Sequence, residues 1–446
     1  MKRDFPFLAT ILAITAILAV AMNCFAQMSP AGSDFKETVG ADSFQKLLVR
    51  LSSVNQDILT KGMRDFPGAS GKLLTGYPYN EYYDWDLYFE NIYLTYYGVS
   101  DQCFTNLKVF LQREQPDGFI SRSLVKFRPQ QDFKPFLAQL SVMGSRLHGN
   151  DFEWMSAEAY DKLKKYLAHW FDYDYDHNGL PVWNSADHSG MDNQWSRAGL
   201  LNSFQDEGVD LACELIRECQ AMSIIASQLG KPEDAQAYAE HADRLKRLIN
   251  EVFWDETDGF YYDRNEKTGA RVRIKSIAGF FPLWAGVAPP ERAARLVREH
   301  LINPNEFWLQ FPIATYAKTE PDYYQGSHKG LISKGNECNW RGSAWICTNY
   351  LVFHGLMRYG YYSVAHELAM KSYRLVLEEN PNTREWFNAE TGAGEGHVFW
   401  GFSTLAYMMP LEWELGYDPM DLNGPVKPIV TENLGIAFPT TVAAAK

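Results

Sequence analysis

Apolar residues recur at intervals of three and four along most of this chain, over 44–56, 87–97, 104–112, 157–170, 209–229, 233–252, 290–299, 342–359, 363–379 and 398–411. That spacing lines one face of a helix, and the alternation that marks a half-buried strand is scarce. Gly, Pro and Asp gather between the helical stretches, at Gln115-Pro116-Asp117-Gly118, Asp174 through Gly179, Asp255 through Gly259 and Gly392 through Gly396, where turns favour them. Long helical pairs joined by such loops predict an all-α fold whose helices close into a toroid. A superhelical repeat array is the alternative, and no fixed short period supports it. With 446 residues and no visible linker, residues 41–446 are expected to form a single domain after a flexible lead-in at 27–40.

Met1-Lys2-Arg3 precedes an apolar run from about Phe7 to Ala21, followed by Asn23-Cys24-Phe25-Ala26-Gln27. This is the order of a secretory signal peptide spanning 1–26 with cleavage after Ala26, and it predicts a periplasmic or secreted protein. A retained anchor is the alternative, but the run is short for a membrane span. Cys24 also lacks the small residue before it that lipid modification uses. Five cysteines follow, Cys103, Cys213, Cys219, Cys338 and Cys347. An odd count leaves at least one free thiol, and the spacing fits no CxxC zinc site. The net charge of -13, with no Lys/Arg stripe to offset it, argues against a nucleic-acid partner. Aromatic residues at 15% exceed what a core needs and suit the apolar faces of sugars, although helical proteins also bury rings between helices.

Four clusters combine aromatic, acidic and amide residues. The first runs from Tyr82 to Glu90 and holds Trp85, Asp86, Tyr88 and Phe89. Its carboxylates can hold sugar hydroxyls beside an indole, or Asp84 and Asp86 can cap a helix ahead of core aromatics. The second runs from Asn184 to Gln194, where Gly190 permits a backbone that turns Asp192 inward; a surface turn with Asx caps reads as well. The third is Asn339-Trp340-Arg341-Gly342-Ser343-Ala344-Trp345. Arg341 there can clamp a hydroxyl pair or a carboxylate, or form a structural ion pair. The fourth carries Glu385 among large rings, with Trp386 beside it and Trp400 further on. Glycoside hydrolysis needs two carboxyls from distant loops, one protonated and one ionised. Asp172, Asp174, Asp176 and Asn178 alternate before Gly179 like the opening of a calcium loop, but the twelfth position counted from Asp174 is Ser185 rather than an acid. No GxSxG elbow, phosphate loop or HExxH helix is present.

Taken together the clusters resemble the toroidal glycoside hydrolases of the family sixty-three group, which includes processing α-glucosidase, mannosylglycerate hydrolase and glucosylglycerate hydrolase. Inverting trehalases are similar more distantly. The resemblance runs from about Tyr77 to Leu411. The family's early Trp-Asp and aromatic pair falls on Trp85, Asp86, Tyr88 and Phe89, its Ser-Gly-x-Asp-Asn loop on Ser189 through Asn193, and its Trp-Arg-Gly-x-x-Trp motif on Trp340, Arg341, Gly342 and Trp345. Its late Glu-aromatic motif before Thr-Gly falls on Glu385 and Trp386, and a smaller echo on Gln115 and Asp117. Gln194-Trp195 stands where the family has Ser-Pro, Phe402 where it has Trp, and Ala389 where Pro is common. These departures touch pocket shape more than chemistry.

The resemblance implies an (α/α)6 toroid, or six-hairpin barrel. Asp192 would be the general acid and Glu385 the general base of an inverting mechanism, with the carboxyls about 6.5 to 9.5 Å apart to admit a water. The expected activity is exo-acting hydrolysis of a small α-glucoside or α-mannoside, such as glucosylglycerate or mannosylglycerate. Arg341 or Arg197 could meet a carboxylate aglycone. A trehalase-like or α-glucosidase activity is the alternative. Lyase or epimerase chemistry centred on His188, His397 or Tyr82, and a non-catalytic sugar-binding toroid, are different classes. A carbohydrate is the expected partner and no soluble cofactor is implied.

Overall fold

The computed structural model describes residues 35–440 apart from 100, 200–202, 204 and 327–337. The signal peptide expected at 1–26 lies outside the described residues. The last part of the expected lead-in does not: Phe35–Val39 is a helical turn whose Phe35 is buried against Phe44. Thr38 ties it to Glu414 near the other end of the chain. A single buried aromatic in a polar stretch leaves no periodic signal, which is why the sequence reads as a loop there.

Helix is the dominant regular structure, as the periodicity requires. Ala157–Trp170 coincides with expectation because Ser156 supplies the N-cap, accepting from the Ala159 amide, and Tyr160, Leu163, Leu167 and Trp170 bury one face. Asp84–Thr95 is buried along its whole length, so it is a central helix rather than an amphipathic surface one. Leu137–Leu147 was not expected. Its buried face includes Gln139, Ser141, Gly144 and Ser145, which dilute the apolar period. Its first amides are instead capped from a neighbouring helix, where the Glu218 carboxylate accepts from Ala138 N at 2.6 Å and Gln139 N at 3.2 Å.

Neighbouring elements form a closed circuit of packing. Asp84–Thr95 lies on Asp101–Leu111, which lies on Leu137–Leu147, then Val209–Gln228, Phe281–Trp284 and Ile346–Arg358. Ile346–Arg358 packs on the 3-10 segment Phe402–Tyr407, which returns to Asp84–Thr95. Pro232–Leu248 and Tyr362–Leu377 pack outside Val209–Gln228 and Ile346–Arg358. The main apolar cluster runs from Phe35 to Val430, and a small second one gathers Leu309, Ala314, Ala344 and Ala389. Among the described residues, no helix is long and apolar enough to cross a membrane.

Two helical expectations fail, both beside the site. Residues 342–345 are extended rather than helical, since Ala344 bridges Ala314 and Phe387, and the helix starts only at Ile346. Residues 398–411 are divided among the end of the strand Gly394–Val398, the 3-10 segment Phe402–Tyr407 and the start of the helix Met409–Leu415. The strand pairs antiparallel with Arg384–Phe387 across a bulge. Large apolar residues at mixed spacing fit either conformation, and pairing between distant segments decides between them.

Candidate active site

The loops around this circuit enclose a cavity of about 200 Å³. Four indoles build one wall. Trp340 stacks on Trp345 with centroids 3.7 Å apart, Trp345 on Trp386 at 5.2 Å, and Trp85 leans on Trp340 at 5.7 Å. Trp85, Trp340 and Trp345 face the cavity while Trp386 backs the stack. Tyr77, Tyr79, Tyr83 and Phe402 line the remaining apolar surface.

Four carboxyls enter this lining: Asp86, Asp187, Asp192 and Glu385. Asp86 comes from the first turn of Asp84–Thr95 and Glu385 from the strand Arg384–Phe387. Asp192 follows Gly190, whose φ of +75° lets the loop turn back on itself. A Cβ at Gly190 would lie 3.1 Å from the Trp85 ring, so the close approach also favours glycine. The extended segment at 342–345 and the hairpin meet through the Ala344–Phe387 bridge, which carries Trp345 to the same cavity as Glu385.

Enclosure shapes the acidity of these groups. Burial pushes Asp86 up to about 7, Asp84 adds to the rise, and the Tyr77 hydroxyl, donating at 2.9 Å, opposes it. Burial pushes Glu385 up to about 8; the His397 amide, donating at 3.3 Å, opposes this, and the charges of Asp86 and Asp192 reinforce it. Water reaches Asp192 through the cavity, so that residue is exposed, yet the surrounding walls leave its carboxyl little bulk solvent. That enclosure, reinforced by Asp187 and opposed by Arg122 and the Cys338 thiol, brings Asp192 to about 7. The cavity therefore keeps carboxyl protons near neutral pH, as general acid catalysis requires.

A carboxyl held up in this way costs stability. Folded Glu385 retains a proton that the unfolded chain releases, so its contribution to stability is fully present below about pH 4.5 and is lost as pH rises through about 8. Glu385→Gln, which stays neutral, is expected to be more stable than wild type by up to about 5 kcal/mol near pH 9, taking about 1.4 kcal/mol for each pH unit. The gain should vanish near pH 4. Chemical denaturation at both pH values measures it, and an equal effect at the two would disprove the assignment.

Of the residues singled out in the sequence, Trp85, Asp86, Gly190, Asp192, Trp340, Trp345 and Glu385 line the cavity. Others stand outside it. Tyr82 turns away onto Phe66, Tyr88 stacks on Phe136, and Phe89 packs among Phe136, Tyr350 and Phe402. Trp400 lies under Lys61. Gln115 and Asp117 bond their own loop at Arg113 O and Phe119 N and line a separate groove. Asn193 acts as a brace, donating to Tyr324 Oη and Cys338 O and accepting from Trp340 N.

Arg341 lies over the rings of Trp195 and Tyr324, and Gly342 passes close to Tyr324 O. Arg197 is no aglycone clamp, because it is fully buried with Asp210 at 2.7 Å and Asp263 at 3.3 Å. His188 is buried beneath the loop, accepting from the Asp132 amide, and His397 rests against Tyr77 and Tyr79. Neither histidine lines the cavity.

The arginines that do reach the cavity are Arg122 and Arg128, with Gln131 beside them. Their loop has no periodicity and gave no signal in the sequence. Tyr83 and Asp187 sit inside motifs that were noticed for their neighbours. Arg122 pairs with Asp84 at 3.2 Å and donates to Asp187 O.

The aspartates of the calcium-like loop cap turns instead. Asp174 accepts from Asn178 N and Gly179 N, Asp176 accepts from Asn178, and Asn178 donates to Glu207. Arg264 further neutralises Asp176. Among the described residues no group of three acidic, His or Cys side chains converges as a metal site.

The pattern of the mannosylglycerate hydrolase MGH1-like glycoside hydrolase domain matches residues 79–403. A mannosylglycerate hydrolase of Thermus thermophilus is 31% identical over 159 residues, which are 35% of this chain and 34% of that protein. A cytosolic neutral trehalase of Kluyveromyces lactis is 32% identical over 130 residues, 29% of this chain and 16% of the trehalase. The matched stretch thus spans about a third or less of these relatives' lengths. Among solved structures, a family 63 mannosylglycerate hydrolase of Thermus thermophilus in complex with glucose superposes with a TM-score of 0.62 at 20% identity, covering 83% of this chain and 100% of that one. A neutral trehalase from Saccharomyces cerevisiae gives 0.54 at 16% identity, covering 87% and 86%. These two structures share their fold with the chain.

Proposed function

The chain belongs to the mannosylglycerate hydrolase MGH1-like glycoside hydrolase family, and on that premise we propose that it is an inverting, exo-acting α-glycosidase for a small α-glucoside or α-mannoside. The observation that carries this reading is the presence of Asp192 and Glu385 in the lining of one aromatic-walled cavity. A volume of about 200 Å³ is that of on the order of seven waters at about 30 Å³ each, which suits one sugar ring rather than a chain. The closed packing circuit supports an (α/α)6 toroid with this cavity at its mouth.

The sugar ring lies against the indoles, and Asp86 takes its hydroxyls. Asp192 gives its proton to the glycosidic oxygen as the bond to the anomeric carbon breaks. Glu385, ionised in the reactive form, removes a proton from a water that attacks the opposite face. Each group leaves the cycle in the other's starting state, and proton exchange with solvent resets the pair. The first residues of the sequence support an exported protein that meets its substrate in the periplasm or outside the cell.

Arg128 makes a carboxylate-bearing aglycone such as glycerate the favoured acceptor side, because it lines the cavity with its guanidinium near the Tyr83 hydroxyl. The trehalase relatives support a neutral disaccharide as the second reading. Hydrolysis of glucosylglycerate, mannosylglycerate, trehalose, maltose, kojibiose, nigerose and isomaltose, followed by NMR, separates the two. The expected first product is the β-anomer; release of the α-anomer would reject inversion. Arg128→Gln is expected to raise KM for the anionic substrate about tenfold or more, as loss of a charged hydrogen bond does, while leaving kcat nearly unchanged. A neutral preferred substrate, with no response to this change, would move the assignment to the trehalase-like reading.

A further inference from the structure

Resting on Asp192 as the general acid, we propose that the Cys338 thiol is a positioning residue for that carboxyl, holding one of its oxygens so that the other faces the scissile bond. Cys338 Sγ donates to Asp192 Oδ2 at 3.2 Å, and the thiol forms part of the cavity wall. The contact is built by the neighbouring residue. Asn193 Nδ2 donates to Cys338 O at 2.7 Å and Asn193 Oδ1 accepts from Trp340 N at 2.9 Å. One side chain next to Asp192 thus fastens the backbone at two points just after the thiol, and Trp340 is carried to the indole stack by the same clamp.

A thiol suits this place chemically. The acid must hold its proton before the reaction and release it to the leaving oxygen during the reaction. A strong donor on Oδ2 would favour the carboxylate too early, whereas S–H is a weak donor that fixes the rotamer while lowering the carboxyl's pKa only modestly. As the glycosidic bond breaks, its electron pair stays on the leaving oxygen, the Asp192 proton moves there, and the carboxylate left behind accepts a stronger bond from S–H. The sulfur keeps its hydrogen throughout. Burial, with Asp192 and Glu385 nearby, pushes the thiol well above its ordinary value, so it stays a donor wherever the enzyme works. The other charged groups facing Asp192 are Asp187 on its own loop, Arg122 across the cavity mouth, Asp84 and Asp86 from the helix start, and Glu385 from the hairpin. None of them is altered by a change at Cys338.

The test titrates Asp192 directly by carboxyl ¹³C NMR in the full chain, with Asp192→Asn identifying its signal, in wild type, Cys338→Ala and Cys338→Ser. Removing the donor in Cys338→Ala is expected to raise the Asp192 midpoint by about half to one pH unit, corresponding to about three- to tenfold. Loss of the rotamer hold should lower kcat about three- to tenfold, the worth of an ordinary hydrogen bond. Cys338→Ser, which keeps an O–H donor, should bring the midpoint back below that of Cys338→Ala. An unmoved midpoint in a folded Cys338→Ala protein, or equal midpoints for the two variants, would overturn the proposal. If the midpoints move as expected while Asp192→Asn remains active, the hydrogen bond stands and the acid assignment fails instead.

Discussion

Replacing Asp192 with Asn, or Glu385 with Gln, is expected to lower kcat by about 10²- to 10⁴-fold while leaving the protein folded. General acid and general base terms each carry a factor of that size, and among the described residues neither carboxyl forms an ion pair. Glu385 accepts only the His397 amide and the nearby Tyr77 hydroxyl, and Asp192 only the Cys338 thiol, among the contacts described. Both replacements are neutral in a cavity that already disfavours charge, so neither should destabilise at neutral pH.

The two losses have different dependences on the leaving group. Asp192→Asn lacks the proton that the departing oxygen needs, so a substrate with a strongly acidic aglycone should recover much of its rate. Glu385→Gln lacks the base that activates water, so the same substrate should remain slow. Rates for a natural and an activated α-glycoside, measured side by side in both variants, read this out. Equal recovery in both variants would mean that the two roles are not divided in this way, and full activity in either would remove that residue from the mechanism.

Lys134→Met is expected to cost about 1–3 kcal/mol of stability at neutral pH, the penalty for leaving buried polar partners unmet. Lys134 and Glu214 are fully buried and their charged atoms meet at 2.9 Å. Without the lysine, Glu214 is left in an environment that already pushes it up to about 8 by burial, with Lys134 the main opposing influence. The same ammonium donates to Ser189 O at 2.8 Å and lies 4.0 Å from the Trp85 ring centroid. It therefore supports two parts of the cavity at once, the indole wall and the loop that turns at Gly190 toward Asp192.

The double variant Lys134→Met/Glu214→Leu distinguishes these contributions. It leaves no uncompensated carboxyl and should regain most of the lost stability, since a buried ion pair replaced by apolar groups is often neutral or better. The Ser189 carbonyl and the underside of Trp85 would still lack their cation, so kcat/KM should stay about tenfold or more below wild type, the cost of losing a charged hydrogen bond. Urea denaturation with kinetics on the same preparations gives both numbers. Recovery of activity together with stability would show that Lys134 matters only to folding.

The helical character was legible because side-chain periodicity is a local property. Ala157–Trp170 could be bounded from its own cap and stripe, and Asp192 and Glu385 stood out because their motifs place acids among rings and flexible turns. Leu137–Leu147 escaped notice because a carboxylate on another helix caps it. The segment at 342–345 and the hairpin at 384–398 were misread or unread because long-range pairing, not spacing, makes them extended.

The sequence by itself determined the helical class and marked the chemistry-bearing loops, and the resemblance their motifs carry singled out the two carboxyls, since each of these is encoded in residues close together along the chain. Only the tertiary structure decided which neighbours share the cavity. It brought Arg122, Arg128 and Cys338 to the lining and sent Arg197 into a buried aspartate cluster and Tyr88 into the core. The physical reason is that acidity, enclosure and reach depend on groups tens to hundreds of residues away: Asp192 meets Cys338 across a sequence separation of 146 residues, a distance over which no local pattern carries information.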